Sequence, residues 1–184
     1  MFAYKKKYFL IIESIKDIEI KNLKKCYKFL IIYRNLVSKE NLAEIIRFRK
    51  LCKLKSIEFY VANNIKLATY LKSDGIYLSS FIRNFKALHL KNLNYKIIGS
   101  AHNVNEINLK KKQGCDYILF SKLFMVDYQK KAPHLGLIKF NKFVNSISKK
   151  LIPLGGIKIS NLNYMKKIKS EGFALLSEVK KKPA

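Results

Sequence analysis

The feature that most constrains the fold of this chain is a repeated alternation of short apolar runs with longer segments of helical spacing. Eight runs rich in β-branched and aromatic residues recur, and between them apolar residues lie three and four positions apart. The runs are continuous, which is typical of strands buried on both faces of a parallel sheet. The predicted strands are residues 8–12, 28–33, 57–62, 74–78, 96–100, 116–120, 150–154 and 172–177.

The segments between these runs predict seven helices, and three residues are predicted to mark helix ends. Ser38 is the predicted N-cap of the second helix, and Gly114 and Gly172 are predicted to end helices in the left-handed conformation. The predicted helices are residues 15–26, 39–53, 65–72, 83–93, 104–113, 137–148 and 161–170.

Eight strands with intervening helices predict a (β/α)₈ TIM barrel of the α/β class. The 184 residues are enough for one hydrophobic core and too few for two ordinary domains, so we expect a single domain over residues 1–184 with short loops. An open doubly wound sheet is the alternative architecture.

The formal net charge of +26 indicates affinity for anions, but its make-up argues against a dedicated nucleic-acid surface. Lysine supplies 34 of the 38 cations, and the lysines are spread along the whole chain. Arginine, which contacts bases and phosphates through two hydrogen bonds at once, occurs only four times. We therefore expect a solvated basic surface and no specific nucleic-acid partner.

The cysteines and the apolar runs indicate a cytoplasmic protein. The three cysteines form no C-x-x-C pair and leave an odd thiol, which favours a reducing compartment and argues against a zinc site. The first apolar run stops at Glu13, too early for a signal peptide, and no run approaches the roughly 20 residues that span a bilayer. We expect no membrane partner.

Catalytic residues of a barrel are expected directly after its strands, and Gly155 and Gly156 follow the seventh run. Glycines let backbone N–H groups approach a phosphate, and the helix that follows adds a favourable dipole. Ser177 closes the eighth run, so the two positions match the usual phosphate site of such barrels. Other polar residues after the runs are Arg34, Asn63, Ser100, His102, Lys122 and Lys130.

Five short motifs occur in the same order as in the thiamine phosphate synthase family, which includes the thiazole tautomerases (TenI). The resemblance covers nearly the whole chain. The matching segments are IYRNL at 32–36 (family Q-x-R-E-K), ANNIKLA at 62–68 (N-D-R-V-D-L-A), DGIYLSS at 74–80 (D-G-V-H-L-G-Q), SAH at 100–102 with GCDY at 114–117 (S-x-H and G-A-D-Y), and IPLGGI at 152–157 (P-x-x-x-G-G-I).

The resemblance implies an enzyme that joins a hydroxymethylpyrimidine pyrophosphate to a thiazole phosphate, with Mg²⁺ as the family's cofactor. By carry-over, Arg34 would hold the pyrophosphate, Ser100 would donate to it, and Lys130 would replace a displaced family lysine. Residues implied for the thiazole phosphate are Gly155, Gly156, Leu176 and Ser177, and those implied for the pocket are Asn63, Tyr77, His102 and Lys122. A homodimer is left open.

Several positions differ from the family pattern. Ile32 and Leu36 replace the Gln and Lys that flank the arginine, and we expect both to point away from Arg34. The two magnesium aspartates fall on Asn63 and Ile82, so the carboxylate ligands are missing. The alternatives to a synthase are therefore a thiazole tautomerase, with His102 or His134 in place of the family histidine at Lys122, and a non-catalytic barrel that binds a phosphorylated ligand.

Overall fold

The fold is a parallel eight-stranded sheet rolled into a barrel. In a computed structural model, residues 6–23, 26–35, 40–126, 133–147 and 150–176 are described. The strands are β1 (Lys7–Ile12), β2 (Phe29–Tyr33), β3 (Glu58–Ala62), β4 (Gly75–Leu78), β5 (Lys96–Ala101), β6 (Tyr117–Ser121), β7 (Leu151–Leu154) and β8 (Gly172–Leu175). Each predicted run overlaps one of these strands, with ends that differ by at most two residues.

The order of the strands confirms the (β/α)₈ barrel and overturns the open doubly wound alternative. Neighbours in sequence pair in parallel from β1 to β7, and β1 also pairs with β8, which brings the last strand beside the first. β7 and β8 lie side by side and nearly close the barrel. A doubly wound sheet would instead reverse its strand order in the middle.

Alternate side chains of each strand point to opposite sides of the sheet and build two separate apolar layers. The barrel interior is filled by one or two side chains from every strand: Phe9, Ile11, Leu30, Ile32, Tyr60, Tyr77, Ile98, Leu119, Ile152 and Ala174. The outer layer is larger and packs against the helices. Burial on both faces explains why the strands are continuous apolar runs.

In the described part of the chain, four α-helices form where the sequence predicts them: α1 (Leu42–Leu54), α2 (Ile65–Tyr70), α3 (Val104–Lys112) and α4 (Gly136–Ser146). The predicted cap of α1 is corrected, because Asn41 accepts a hydrogen bond from the Ala43 backbone N–H at 2.9 Å. Ser38 lies outside the described residues. Gly114 is left-handed after α3, as predicted, with φ +74°.

The other three predicted helices are wrong as α-helices. Short 3₁₀ segments stand in their places: Ile15–Asp17, Ile20–Asn22 and Cys26–Lys28 in the first, Leu88–Leu93 in the second, and Ile159–Lys167 in the third. In the first, the Asp17 carboxylate accepts from the backbone N–H groups of Glu13 and Ser14. Such local side-chain bonds compete with helix formation.

Gly172 is also corrected, since it does not end a helix in the left-handed conformation. It begins β8, and a Cβ atom there would lie 2.4 Å from the Lys7 carbonyl oxygen of the neighbouring strand. Glycine at this position therefore provides space for close strand approach, not a positive φ.

Candidate functional site at the barrel mouth

A cavity of about 640 Å³ opens at the C-terminal ends of the strands. In barrels of this kind, chemistry is carried out at this end. Of the predicted site residues, those that line the cavity are Arg34, Tyr77, Ser100, His102, Gly155, Gly156 and Leu176. Residues of β1, β4 and β6 and the segments that follow them line it as well: Glu13, Ser79, Ser80, Phe81, Ser121 and Val126.

The Gly155–Gly156 turn forms one wall of the cavity. Both residues have positive φ, +93° and +68°. A Cβ atom on Gly156 would lie 2.4 Å from the Met125 carbonyl oxygen, so a side chain there would displace the loop after β6. The Gly156 carbonyl accepts from the Asn161 amide at 2.8 Å, which holds the turn against the segment that follows it.

The turn also presents backbone donors. Within the described part of the chain, the N–H groups of Gly156 and Ile157 have no hydrogen-bond acceptor. Two adjacent N–H groups without an acceptor at a glycine turn are the usual elements of an anion site.

Arg34 stands three strands away from the turn around the mouth, directly after β2. Its Nη2 donates to the Glu13 carboxylate at 3.3 Å, and its Nε is buried with no hydrogen-bond partner among the described residues. Good Arg–carboxylate pairs are shorter and often bidentate, so Glu13 satisfies this guanidinium only in part. Arg34 lines the cavity, so an anion bound there would give the guanidinium the charged acceptor that Glu13 provides only in part.

The prediction that Ile32 points away from Arg34 is wrong. The Arg34 N–H bonds the Ile12 carbonyl at 2.8 Å, so the strand hydrogen bonding continues past the end of β2. Residues two apart then share a face, and Ile32 lies in the barrel interior beneath Arg34. Leu36 lies outside the described residues.

Tyr77 and Ser100 form the floor between the two walls. Tyr77 is buried, and its hydroxyl lies near the Ser100 side chain. Burial raises the pKa of Tyr77 above its ordinary 10.0, while Ser100 and the charge of Arg34 act to lower it. Tyr77 is therefore a neutral hydroxyl near pH 7, and three predicted residues, Arg34, Tyr77 and Ser100, are brought together.

Asn63 and Lys122, which were also predicted to belong to the pocket, are not among the described residues that line the cavity. The Asn63 amide donates to Ser79 Oγ at 2.8 Å, and its carbonyl accepts from the Ser79 N–H at 2.9 Å. Lys122 lies behind the glycine turn, with its Cα 3.2 Å from where a Cβ of Gly155 would be. His102 is exposed at the rim, and Lys130 and Ser177 lie outside the described residues.

The sequence predictions missed Glu13 and the Ser79–Phe81 segment. Glu13 is the only carboxylate among the described residues that line the cavity. Glu13 follows β1 directly, and the Ser79–Phe81 segment follows β4 directly. The expectation that site residues come directly after strands therefore identifies both once it is applied to every run. From the sequence, Glu13 was identified only as the residue that ends the first apolar run.

The fold and this cavity define the class: a (β/α)₈ barrel protein whose polar residues meet at the C-terminal ends of its strands. A family model for TMP-TENI, described as thiamine monophosphate synthase, matches residues 21–179. The chain belongs to this family.

The relatives that the chain resembles carry the same description. It is 30% identical over 149 residues to a thiamine-phosphate synthase of Prochlorococcus marinus strain AS9601, which covers 80% of this chain and 42% of the relative. Identity to a thiamine-phosphate synthase of Prochlorococcus marinus subsp. pastoris is 33% over 129 residues, covering 70% and 37%. The chain thus spans less than half the length of these two relatives.

Solved structures confirm the fold. A thiamine phosphate pyrophosphorylase from Pyrococcus furiosus superposes with a TM-score of 0.72 at 20% identity, covering 97% of this chain and 89% of the other. A 3-keto-L-gulonate-6-phosphate decarboxylase from Vibrio cholerae gives 0.62 at 12% identity, covering 95% and 89%. At these identities the likeness concerns the barrel alone.

Proposed function

We propose that the chain joins a hydroxymethylpyrimidine pyrophosphate to a thiazole phosphate, giving thiamine phosphate and pyrophosphate. The observation that carries the proposal is that one cavity holds two separate features suited to anions, the Gly155–Gly156 turn and Arg34. Two phosphorylated substrates that react with each other need two such features facing a common space. The family's described activity points to the same pair of ligands.

In this proposal the thiazole phosphate binds at the glycine turn. The N–H groups of Gly156 and Ile157 donate to its oxygens, and Leu176 from the end of β8 closes the side of the pocket. Ser177 would add a hydroxyl or N–H donor, as the family resemblance implies.

The pyrophosphate end is assigned to Arg34 and Ser100, with Lys130 as a further cation. The C–O bond between the pyrimidine methylene and the pyrophosphate breaks, and its electron pair leaves with the pyrophosphate. The thiazole nitrogen lone pair then forms the new C–N bond, so no proton has to move. Arg34 stabilises the departing negative charge, and the Glu13 carboxylate beside it stabilises the positive charge that develops on the pyrimidine.

Magnesium, the cofactor expected from the family resemblance, does not fit the residues present. The Asn63 side chain is hydrogen-bonded to Ser79, and Ile82 has no ligand atom in its side chain. Within the described residues, no three His, Cys, Asp or Glu side chains form a group that could hold a metal ion. We therefore derive the chemistry from the protein's own residues, and we expect slow turnover because a metal supplies several kcal/mol of charge stabilisation in other enzymes.

The synthase is favoured over the tautomerase because the curated relatives named above are synthases. We further propose that residues 1–184 form one domain and that the protein works in the cytoplasm. Among the described residues, every helix is too short or too polar to cross a membrane.

The test is product formation. The protein is mixed with both precursors, and thiamine phosphate and pyrophosphate are quantified together, with and without Mg²⁺. Equal amounts of the two products above a no-protein control are expected. Calorimetric binding of thiazole phosphate without any product would instead identify a non-catalytic binding barrel, and absence of both binding and product would overturn the proposal.

A further inference from the structure

Lys110 of α3 is a fully buried cation that has no carboxylate partner among the described residues. Its side chain is 0% exposed, and its Nζ donates to the backbone carbonyls of Ser79 and Ile82, each at 2.8 Å. No ion pair involves Lys110 within the described residues. A buried charge is costly unless hydrogen bonds compensate it, so these carbonyls are essential to keeping the ammonium inside.

Two more side chains hold the same segment, residues 79–84, which we call the β4 loop. Gln113, also from the end of α3, donates its amide to the carbonyls of Ile82 and Asn84 at 3.0 and 2.6 Å. Asn63, after β3, clamps Ser79 through two hydrogen bonds. Side chains of neighbouring elements thus bind the carbonyls of Ser79, Ile82 and Asn84, the last two at the place where the predicted helix over residues 83–93 would begin.

The β4 loop matters because it forms a wall of the cavity. Ser79, Ser80 and Phe81 line the cavity from this side. A Cβ atom on Gly99 of β5 would lie 2.8 Å from the Lys110 Cδ, so the absence of a side chain there leaves room for the lysine to reach the loop.

We propose that Lys110 is a positioning residue that fixes the β4 loop as a wall of the ligand cavity. Its ammonium draws the Ser79 and Ile82 carbonyls toward α3 and away from the anionic ligands. Those carbonyl oxygens would otherwise repel the negative charge of the ligands. The two positions at which the family resemblance implies metal ligands, Asn63 and Ile82, both belong to this protein-only network, so the loop is ordered without a metal. The identity of the ligand rests on the proposed function; the positioning role does not.

The test compares Lys110→Met with Lys112→Met by hydrogen–deuterium exchange in EDTA and in Mg²⁺. Methionine keeps most of the length of lysine and removes the ammonium, while Lys112 is exposed on the same helix. Exchange of the backbone N–H groups in residues 79–84 is expected to rise at least about fivefold in Lys110→Met, to stay unchanged in Lys112→Met, and to be independent of Mg²⁺ in the unmodified protein. Unchanged exchange in Lys110→Met, or slower exchange of the unmodified loop with Mg²⁺, would overturn the proposal.

A second variant keeps the proposal testable if Lys110→Met does not fold. Gln113→Leu removes the amide that donates to Ile82 and Asn84, together with a buried Oε1 that has no partner among the described residues, and it is expected to loosen the same segment to a smaller extent. If the unmodified protein forms thiamine phosphate, Lys110→Met should raise KM several-fold with a smaller change in kcat and the same pH profile. If it forms none while the exchange results hold, the proposed function fails and the positioning role stands.

Discussion

The two ends of the barrel hold charged residues in opposite ways. At the N-terminal end, Asp74 accepts from Arg49 at 3.0 Å and from the Phe59 N–H at 2.7 Å, and Asp116 accepts from Lys91 at 2.5 Å and from the Ile97 N–H at 2.8 Å. At the mouth, the described residues give the Arg34 guanidinium one carboxylate contact, at 3.3 Å, and leave its buried Nε without a hydrogen-bond partner.

This difference separates residues that stabilise the barrel from residues that bind a ligand. Asp74 and Asp116 each precede a strand, and each joins a cation to the start of the neighbouring strand. Their oxygens are satisfied by the protein itself. The mouth keeps donors unsatisfied at Arg34 and at the glycine turn, as expected of a site prepared for anions.

The largest effect at the mouth is expected for Gly156→Ala. Alanine at φ +68° is strained, and its Cβ would meet the Met125 carbonyl oxygen at 2.4 Å, so the turn must move. We expect roughly 1–3 kcal/mol lower stability, and a loss of at least about tenfold in affinity for thiazole phosphate. Calorimetry and chemical denaturation measure the two effects. An unchanged affinity would remove the phosphate from this turn.

Asp74→Asn tests the N-terminal end. Arg49 is buried and loses a charged acceptor, so the free energy of unfolding should fall by about 1.5–3 kcal/mol. Urea denaturation measures this loss, and affinity for thiazole phosphate should stay within twofold. A clear loss of affinity at unchanged stability would mean that the two ends are not separate in function.

The loss of folding stability at acid pH also tests the role of charged pairs at the N-terminal end of the barrel. Burial by itself would raise the pKa of Glu58, but hydrogen bonds from Lys96 and Tyr60 hold it below the ordinary 4.5. The carboxylate therefore contributes stability above about pH 4.5 that is lost as the pH falls through the lower pKa of the folded state. Because the pair is partly exposed, we expect Glu58→Gln to remove at most about 1 kcal/mol at pH 7 and to flatten the profile below pH 4.5. A profile that keeps its slope in the variant would assign the acid sensitivity elsewhere.

The smallest effect on ligand binding is expected for Glu13→Gln. Removing the negative charge beside Arg34 leaves the guanidinium more available, so pyrophosphate should bind roughly two- to fivefold more tightly. Competition calorimetry measures this change, and stability should fall by no more than about 1 kcal/mol. Weaker pyrophosphate binding would show that Glu13 orients Arg34 for the anion.

The sequence was sufficient to predict the strands, because burial on both faces produces continuous apolar runs. Such runs can be recognised without knowing any tertiary contact. It was insufficient for the segments that became 3₁₀ turns. Over residues 83–93, for example, the spacing of apolar residues fits a helix, but the side chains of Lys110 and Gln113 bind the Ile82 and Asn84 carbonyls at the place where this helix would begin. Contacts between residues that are about 30 positions apart do not appear in a local pattern.

The candidate site was likewise predicted only in part from the sequence. Gly155, Gly156 and Arg34 follow strands, so the barrel rule places them at the mouth without knowledge of their partners. Asn63 follows a strand too, yet its left-handed φ of +58° and its bonds to Ser79 turn its amide into a structural clamp. Only geometry separates such a residue from one that faces the cavity.

The central claim, that the mouth acts as a two-anion site for coupling the precursors, is tested most directly by kcat/KM for thiamine phosphate formation in the unmodified protein, Arg34→Ala and Asp74→Asn. Losing hydrogen bonds from a charged group costs about 1.5–3 kcal/mol, so Arg34→Ala should lower kcat/KM by roughly 10- to 150-fold with little change in folding stability. Asp74→Asn should lower stability and leave kcat/KM nearly unchanged at a temperature where it is folded. An Arg34→Ala protein with lower thermal stability and unaltered kcat/KM would contradict the account and make Arg34 a structural partner of Glu13.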